Sequence, residues 1–448
     1  MPCRRCQKIT NRAYHNSNTM SNLHWHSCYE PNRERNVPAV VSELVLDAFA
    51  RLPRNGKPSD AQWTVLAGFV AVPTSETEDG SDSEQAQLIS LATGTKCLGR
   101  SQRRPELVCD SHAEVLARRL FNRQLLDEIH AIFTGKSSQF LSFDSSGLCA
   151  WRQNQYSLYL YVSRAPCGDS VICDKEQTTF PAALLLPGES TVSSSSSLND
   201  VVVLAAETAT GSSDIHRTGA KPVPSAGQDP RRTGKEYHAI GLPRTKPGRG
   251  EPTDCMSCSD KISRWVACGV QSRLLATFLA GPIPLAGLVL GGDVFDESAL
   301  RRAFLERHSC PLNTLNLWPA PNAGKSTFRH DRKQGAERCS TSLLIRRTGQ
   351  QEIAVDGRRH GIVKKHIGSP KAELSICRRQ LLLTFRSLVR ELLEGQGTEA
   401  YARLAPLLTT SYADTKLKST PAWLTERRAL FNAKMLHWTT KDAQDFYP

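Results

Sequence analysis

Strands alternating with helices along most of the chain predict an α/β fold, and three patterns carry the prediction. Two apolar runs, Trp63–Val72 and Leu88–Ala92, flank an acidic stretch of small residues at 73–85 and together predict an antiparallel hairpin. Val115–Phe133 sets Leu116, Leu120, Leu125, Ile129 and Phe133 on one face of a helix. Ser157–Ser163 follows as a strand rich in aromatic residues.

The remaining elements fit around these. Residues 1–38 are polar, rich in Asn, Arg and His, and lack apolar periodicity, so a disordered N-terminal extension is expected. The spacing of Cys3, Cys6, His24, His26 and Cys28 fits no regular zinc finger. Val41, Leu44, Val45, Ala48 and Phe49 recur at helical spacing. From about 186 to 235 the chain turns low in complexity and includes the run Ser193–Ser197, which predicts a mostly disordered insertion within one domain. A strand-like VVVLAA stands inside it at 201–206. Beyond it the expected order is a helix over Lys261–Phe278, a strand over Leu285–Leu290, a helix over Glu297–Glu306 and two short strands, Leu343–Arg346 and Glu352–Val355. From Glu373 the chain is helix-rich and basic.

Charge and cysteine usage narrow the function. The chain has 448 residues, with 57 Lys and Arg against 44 Asp and Glu, a net charge of +13. A basic surface of that size favours phosphate-rich partners such as nucleic acid. No run of about 18 apolar residues is present, so no membrane span is expected. The first ten residues, MPCRRCQKIT, hold no apolar core of a secretory signal. The 14 cysteines form no short-spaced framework, which favours a reducing compartment, nuclear or cytoplasmic, and a few metal-binding thiols.

The segment Asp110-Ser111-His112-Ala113-Glu114 opens the long helix. His and Glu two residues apart at a helix start can address one point, the imidazole binding a metal while the carboxylate handles protons. Pro166-Cys167-Gly168-Asp169 follows the strand at 157–163, a setting that favours a thiolate. Zinc nucleobase deaminases pair H-x-E with P-C-x-x-C, yet position 170 is Ser. The third ligand must therefore come from elsewhere, and spacing leaves Cys255 and Cys258 equally open.

These segments, with TGTKC at 93–97, RTKPGRG at 244–250, MSCSDKISRW at 256–265 and YADTKLK at 412–418, resemble the adenosine deaminase (editase) domain shared by the deaminases that act on double-stranded RNA and on tRNA. The match runs from about Trp63 to the C-terminus and places a single such domain at 39–448. It implies a cytidine-deaminase-like α/β/α core of three layers around a mixed sheet, enlarged by a helix-rich C-terminal part. The implied activity is zinc-dependent hydrolysis of adenosine to inosine. The KPGRG form and the lack of a double-stranded-RNA-binding module favour tRNA, with adenosine 37 of alanine tRNA as target, over a duplex editor. The intact His112, Glu114, Cys167 and Cys258 speak against an inactive RNA-binding relative. No DNA partner is expected, and the chain is expected to act as a monomer.

The resemblance also assigns residues. It selects Cys258 to join His112 and Cys167 around zinc, with Glu114 as proton shuttle and Asp110 and Lys246 supporting the ligands. Thr95, Lys96, Arg244 and Arg249 match positions near the edited RNA. Relatives bury inositol hexakisphosphate beneath the metal, and the matching positions are Arg118, Arg119, Lys261, Arg264, Arg378, Tyr412, Lys416, Arg427, Trp438 and Lys441. Trp423 stands alongside.

Overall fold

The computed structural model describes residues 36–74, 85–144, 147–175, 214–248, 250–292, 294–321, 328–330, 332, 335–395, 401–439 and 445–447. Arg249, Lys441 and the strand-like run at 201–206 lie outside the described residues.

The strands used below are β1 Leu66–Pro73, β2 Gln87–Thr93, β3 Thr95–Cys97, β4 Asp110–His112, β5 Tyr156–Val162, β6 Gly287–Leu290, β7 Asn316–Pro319, β8 Thr341–Arg346, β9 Gln351–Val355 and β10 Arg358–Arg359. The helices are α1 Val37–Arg51, α2 Ala113–Phe133, α3 Cys258–Cys268, α4 Arg378–Glu394, α5 Tyr412–Lys418 and α6 Ala422–Lys434.

The main sheet runs β7-β6-β5-β1-β2-β8-β9-β10. It is mixed: β5, β6 and β7 are parallel, and every pair from β5–β1 onward to β10 is antiparallel. Side chains on successive strand residues point to opposite faces, and β1 and β5 use both. Ala67, Phe69, Leu158 and Leu160 join α2 in one core, while Leu66, Val70, Tyr159 and Tyr161 join α1 in another. Two covered faces give a three-layer α/β/α core, as expected. Truncating a side chain such as Phe69 or Leu120, both buried, costs about 2–5 kcal/mol.

Besides the strand expected over Trp63–Val72, which begins at Leu66 and leaves Trp63 in a separate short strand, two elements differ from expectation. The helix predicted over Lys261–Phe278 is two, Cys258–Cys268 and Arg273–Ala276. Gly269 separates them at φ +89°, a conformation that ends a helix. The second departure is the insertion. Asp214 onward is built into the domain: Lys175 and His216 donate backbone N–H groups to Asp214 O and Cys173 O, and Lys221–Pro222 pairs with Arg244–Thr245. Its polar composition hid this because its partners are backbone groups and ions rather than an apolar face.

Candidate metal centre and active site

Three chain segments far apart in sequence meet at the start of α2. Strands β3 and β4 form a small antiparallel pair that sets Thr95 opposite His112. Gly94 makes the turn into β3 possible, since a Cβ there would sit 2.0 Å from Ser111 O. His112 is the N-cap of α2, and its side chain makes no capping bond. Ser, Thr, Asp or Asn would cap better, so the position gives up a cap and leaves its imidazole facing the cluster.

Cys167 follows β5. The next residue, Gly168, has φ +116°, and a Cβ there would lie 2.3 Å from Ser257 Oγ. Only glycine lets the Cys167 turn approach the N-terminus of α3. Ser257 caps that helix through Asp260 N, and Cys258 occupies its first turn. Ser259 N donates to Cys167 O at 3.0 Å, tying turn to helix.

The result is one cluster. Nδ1 of His112 lies 3.8 Å from Cys167 Sγ and 3.6 Å from Cys258 Sγ. Bond lengths of about 2.3 Å to sulfur and 2.0–2.1 Å to nitrogen around a tetrahedral zinc separate N from S by about 3.6 Å. The three donors therefore fit a zinc ion. Cys258 N–H donates to Cys167 Sγ at 3.4 Å, and a separate hydrogen bond from the Cys258 side chain holds the Cys167 thiol well below its ordinary range, with His112 and Lys246 adding to it. Burial pushes the neighbouring Cys258 thiol up, and the sulfur of Cys167 beside it adds to the rise.

Spacing had left Cys255 open as a third donor. It belongs instead to a second group with Cys97 and Asp110. That group is a poor cation site, because Asp110 already binds two ammonium groups: Lys246 Nζ at 2.9 Å from both oxygens, and Lys261 Nζ. Burial alone would raise the Asp110 carboxyl, but the two lysines more than offset it and hold it well below the usual range. Asp110 Oδ1 also accepts from His112 N at 3.1 Å, and Lys246 Nζ reaches Cys258 Sγ at 3.0 Å. The Asp110–Lys246 pair thus connects the backbone of one donor to the sulfur of another.

Glu114 is 3 % exposed, and its Oε2 has no hydrogen-bond partner among the described residues. Burial raises its pKa, opposed by His112 and Lys246. With His112 and Cys167 it lines a cavity of about 560 Å³. Thr95 and Lys96 line the same cavity, as do residues 216–220 of the segment expected to be disordered. Thr95 Oγ1 is buried and unpartnered among the described residues.

Arg244 is a correction. Placed near RNA by resemblance, it is fully buried and bonded through both terminal nitrogens to Asp229, at 2.8 and 2.6 Å. Asp229 also bonds His238, whose Nε2 accepts from Thr218 N at 3.3 Å. Arg244 therefore braces the cavity wall from behind and does not reach a surface.

A second cavity, about 830 Å³, lies under the cluster and is lined by Arg118, Arg119, Lys261, Arg264, Arg378, Tyr412, Lys416 and Trp438. Arg427 is again a correction: it turns away and donates to Ala267 O at 2.8 and 2.7 Å. Arg428 and Arg273 line the cavity in its place. Arg428 was findable, since Leu424, Arg428, Phe431 and Met435 form one stripe at helical spacing and the other three are buried. Trp423 does not line this cavity; its indole N–H points to Leu279 O at 3.4 Å. Arg264 Nε, Arg273 Nε and Arg378 Nη2 are buried with no partner among the described residues. Burial and the neighbouring cations bring Arg118 down to about 9 and Arg264 to about 8. The guanidinium of Arg264 lies 3.3 Å above the Trp438 ring. Buried cations without counter-charge are costly, so the lining fits a polyanion.

Comparison with known proteins agrees with this geometry. The chain is 33% identical to tRNA-specific adenosine deaminase 1 of Drosophila melanogaster over 78% of its length and 82% of that protein. It is 29% identical to the Mus musculus protein of the same name, over 84% and 93%. To the double-stranded RNA-specific editase B2 of Rattus norvegicus it is 30% identical, over 56% of this chain and 30% of that one. Residues 90–442 match the pattern that defines the adenosine-deaminase (editase) domain, and the chain belongs to that family.

Proposed function

We propose that the protein deaminates adenosine to inosine in tRNA, at position 37 of alanine tRNA, with zinc held by His112, Cys167 and Cys258. The observation that carries this reading is the meeting of those three donors beside a buried Glu114, whose Oε2 has no partner among the described residues, in the wall of a cavity. The names of the relatives support tRNA as the substrate class.

Zinc bound here supplies Lewis acidity that makes a water nucleophilic near neutral pH. Glu114 takes the proton of the attacking water and passes it to N1 of the adenine. It then moves the second proton to the amino nitrogen on C6, so that water and adenosine become inosine and ammonia. Burial keeps the carboxyl's pKa up, which suits a group that must both accept and return a proton. Asp110 and Lys246 keep His112 and Cys258 in place. Thr95, across from His112, offers an unpartnered hydroxyl to the nucleoside. The target base must leave its stack to reach this floor, and an anticodon loop presents one at little cost. The basic cavity beneath would hold inositol hexakisphosphate, whose phosphates would give counter-charge to the guanidiniums that leave a nitrogen without a partner among the described residues.

The test is incubation of the purified protein with an alanine tRNA transcript, read by sequencing as A-to-G conversion at position 37. Conversion by the wild type is expected. Glu114→Ala should lower the rate by about 10²–10⁴-fold, while zinc content and tRNA binding stay as in the wild type. Tight tRNA binding without conversion by the wild type would point instead to a binding protein.

A further inference from the structure

The cavity over Glu114 carries a second feature away from the metal donors. Gln62–Trp63 pairs in parallel with Glu337–Arg338. Thr64 N donates to His330 O at 3.1 Å and Cys339 N to Trp63 O at 2.9 Å, so the backbone at the indole is fixed from two sides. Trp63 is 9 % exposed and lines the cavity. Two guanidiniums lie over its ring, Arg338 at 5.5 Å and Arg332 at 5.7 Å from the centroid. Both arginines are exposed and line the same cavity, so they stand at its solvent side. Among the described residues neither has a carboxylate within ion-pair distance, and Glu114 is the one carboxylate that lines the cavity. An indole face attracts a guanidinium and restrains a side chain that would otherwise sample many rotamers.

We propose that Trp63, Arg332 and Arg338 form a phosphate clamp. The indole is the positioning residue, and the two guanidinium forks grip phosphodiester oxygens of the strand that delivers the target base. The planar fork of Arg matches phosphate geometry, and only a planar cation also stacks on the ring. A base inserted toward Glu114 leaves its flanking phosphates at the solvent side, where these two side chains stand. The inference rests on the RNA-deaminase reading above and adds a site to it.

The experiment uses the zinc-loaded full chain and the alanine tRNA transcript at several salt concentrations. The Arg332→Ala, Arg338→Ala double variant should raise KM about tenfold, with the loss falling on KM rather than kcat. It should also lower the slope of log affinity against log salt by about 1.4, for two single-strand phosphate contacts. Trp63→Leu should reproduce much of the KM effect, and Trp63→Phe should restore it. Arg338→Lys, which keeps charge but not the planar stack, should fall between. If Trp63→Leu fails to fold, Trp63→Phe and the arginine variants still decide. Wild-type KM and salt slope in the double variant would overturn the clamp, as would a loss confined to kcat. A wild type that binds the transcript without converting it would sink the deaminase reading, and the salt slopes of binding would then judge the clamp separately. No binding at all would remove both.

Discussion

The two cavities, one over the His–Cys–Cys cluster and one beneath it, handle buried charge in opposite ways. Behind the wall of the upper one, the fully buried charges are met by the chain itself: Arg244 is held by Asp229 and two carbonyls, and Lys246 by Asp110, which also takes Lys261 from the side of the lower cavity. In the lower one, Arg264, Arg273 and Arg378 each leave a buried nitrogen without a partner among the described residues. Self-neutralised charge holds geometry without help from outside. Charge without an internal partner is left available to a ligand of opposite sign.

The comparison breaks most sharply on Asp110. Asp110→Asn leaves two buried lysines without their shared anion and should cost about 3–5 kcal/mol in denaturant unfolding. A cost near zero would mean that the pair is not the support argued here. In the lower cavity the sign depends on the ligand. Arg264→Met should be neutral or stabilising by about 1 kcal/mol in polyphosphate-free buffer, because it removes a largely desolvated cation that has no carboxylate partner among the described residues. The wild type should gain about 2.7 kcal/mol from inositol hexakisphosphate at a hundredfold excess over Kd, and Arg264→Met should lose part of that gain. Thermal melts with and without the ligand read both. The finest distinction is between neighbours on α6. Arg428→Met should weaken the ligand-induced shift, whereas Arg427→Met should leave the shift intact and cost about 1 kcal/mol at any ligand concentration, from its bonds to Ala267 O.

The parts of the site that were legible in the sequence are the local ones. His112 and Glu114 lie within one strand–helix junction, and Cys167 within one turn, so residue type and spacing describe their surroundings. The choice between Cys255 and Cys258 was not legible from spacing, because three residues decide which thiol enters the first turn of α3 and which joins Cys97. Arg244 and Arg427 failed for a related reason. A basic residue in a Gly/Pro loop or on an amphipathic helix has the same local signature whether it faces solvent, a buried carboxylate or a backbone carbonyl. Trp63 gave no sign of its two arginines, which come from about 270 residues further along the chain.

By itself the sequence determined the class of fold, the long helix and the placement of His112 and Glu114 at its start, since apolar periodicity and a two-residue spacing are short-range properties of the backbone. Tertiary structure decided which cysteine completes the cluster, which arginines are paired and which are left without partners, and what lines each cavity. Those outcomes depend on Coulomb and desolvation energies between groups brought together only when the sheet and its helices have packed.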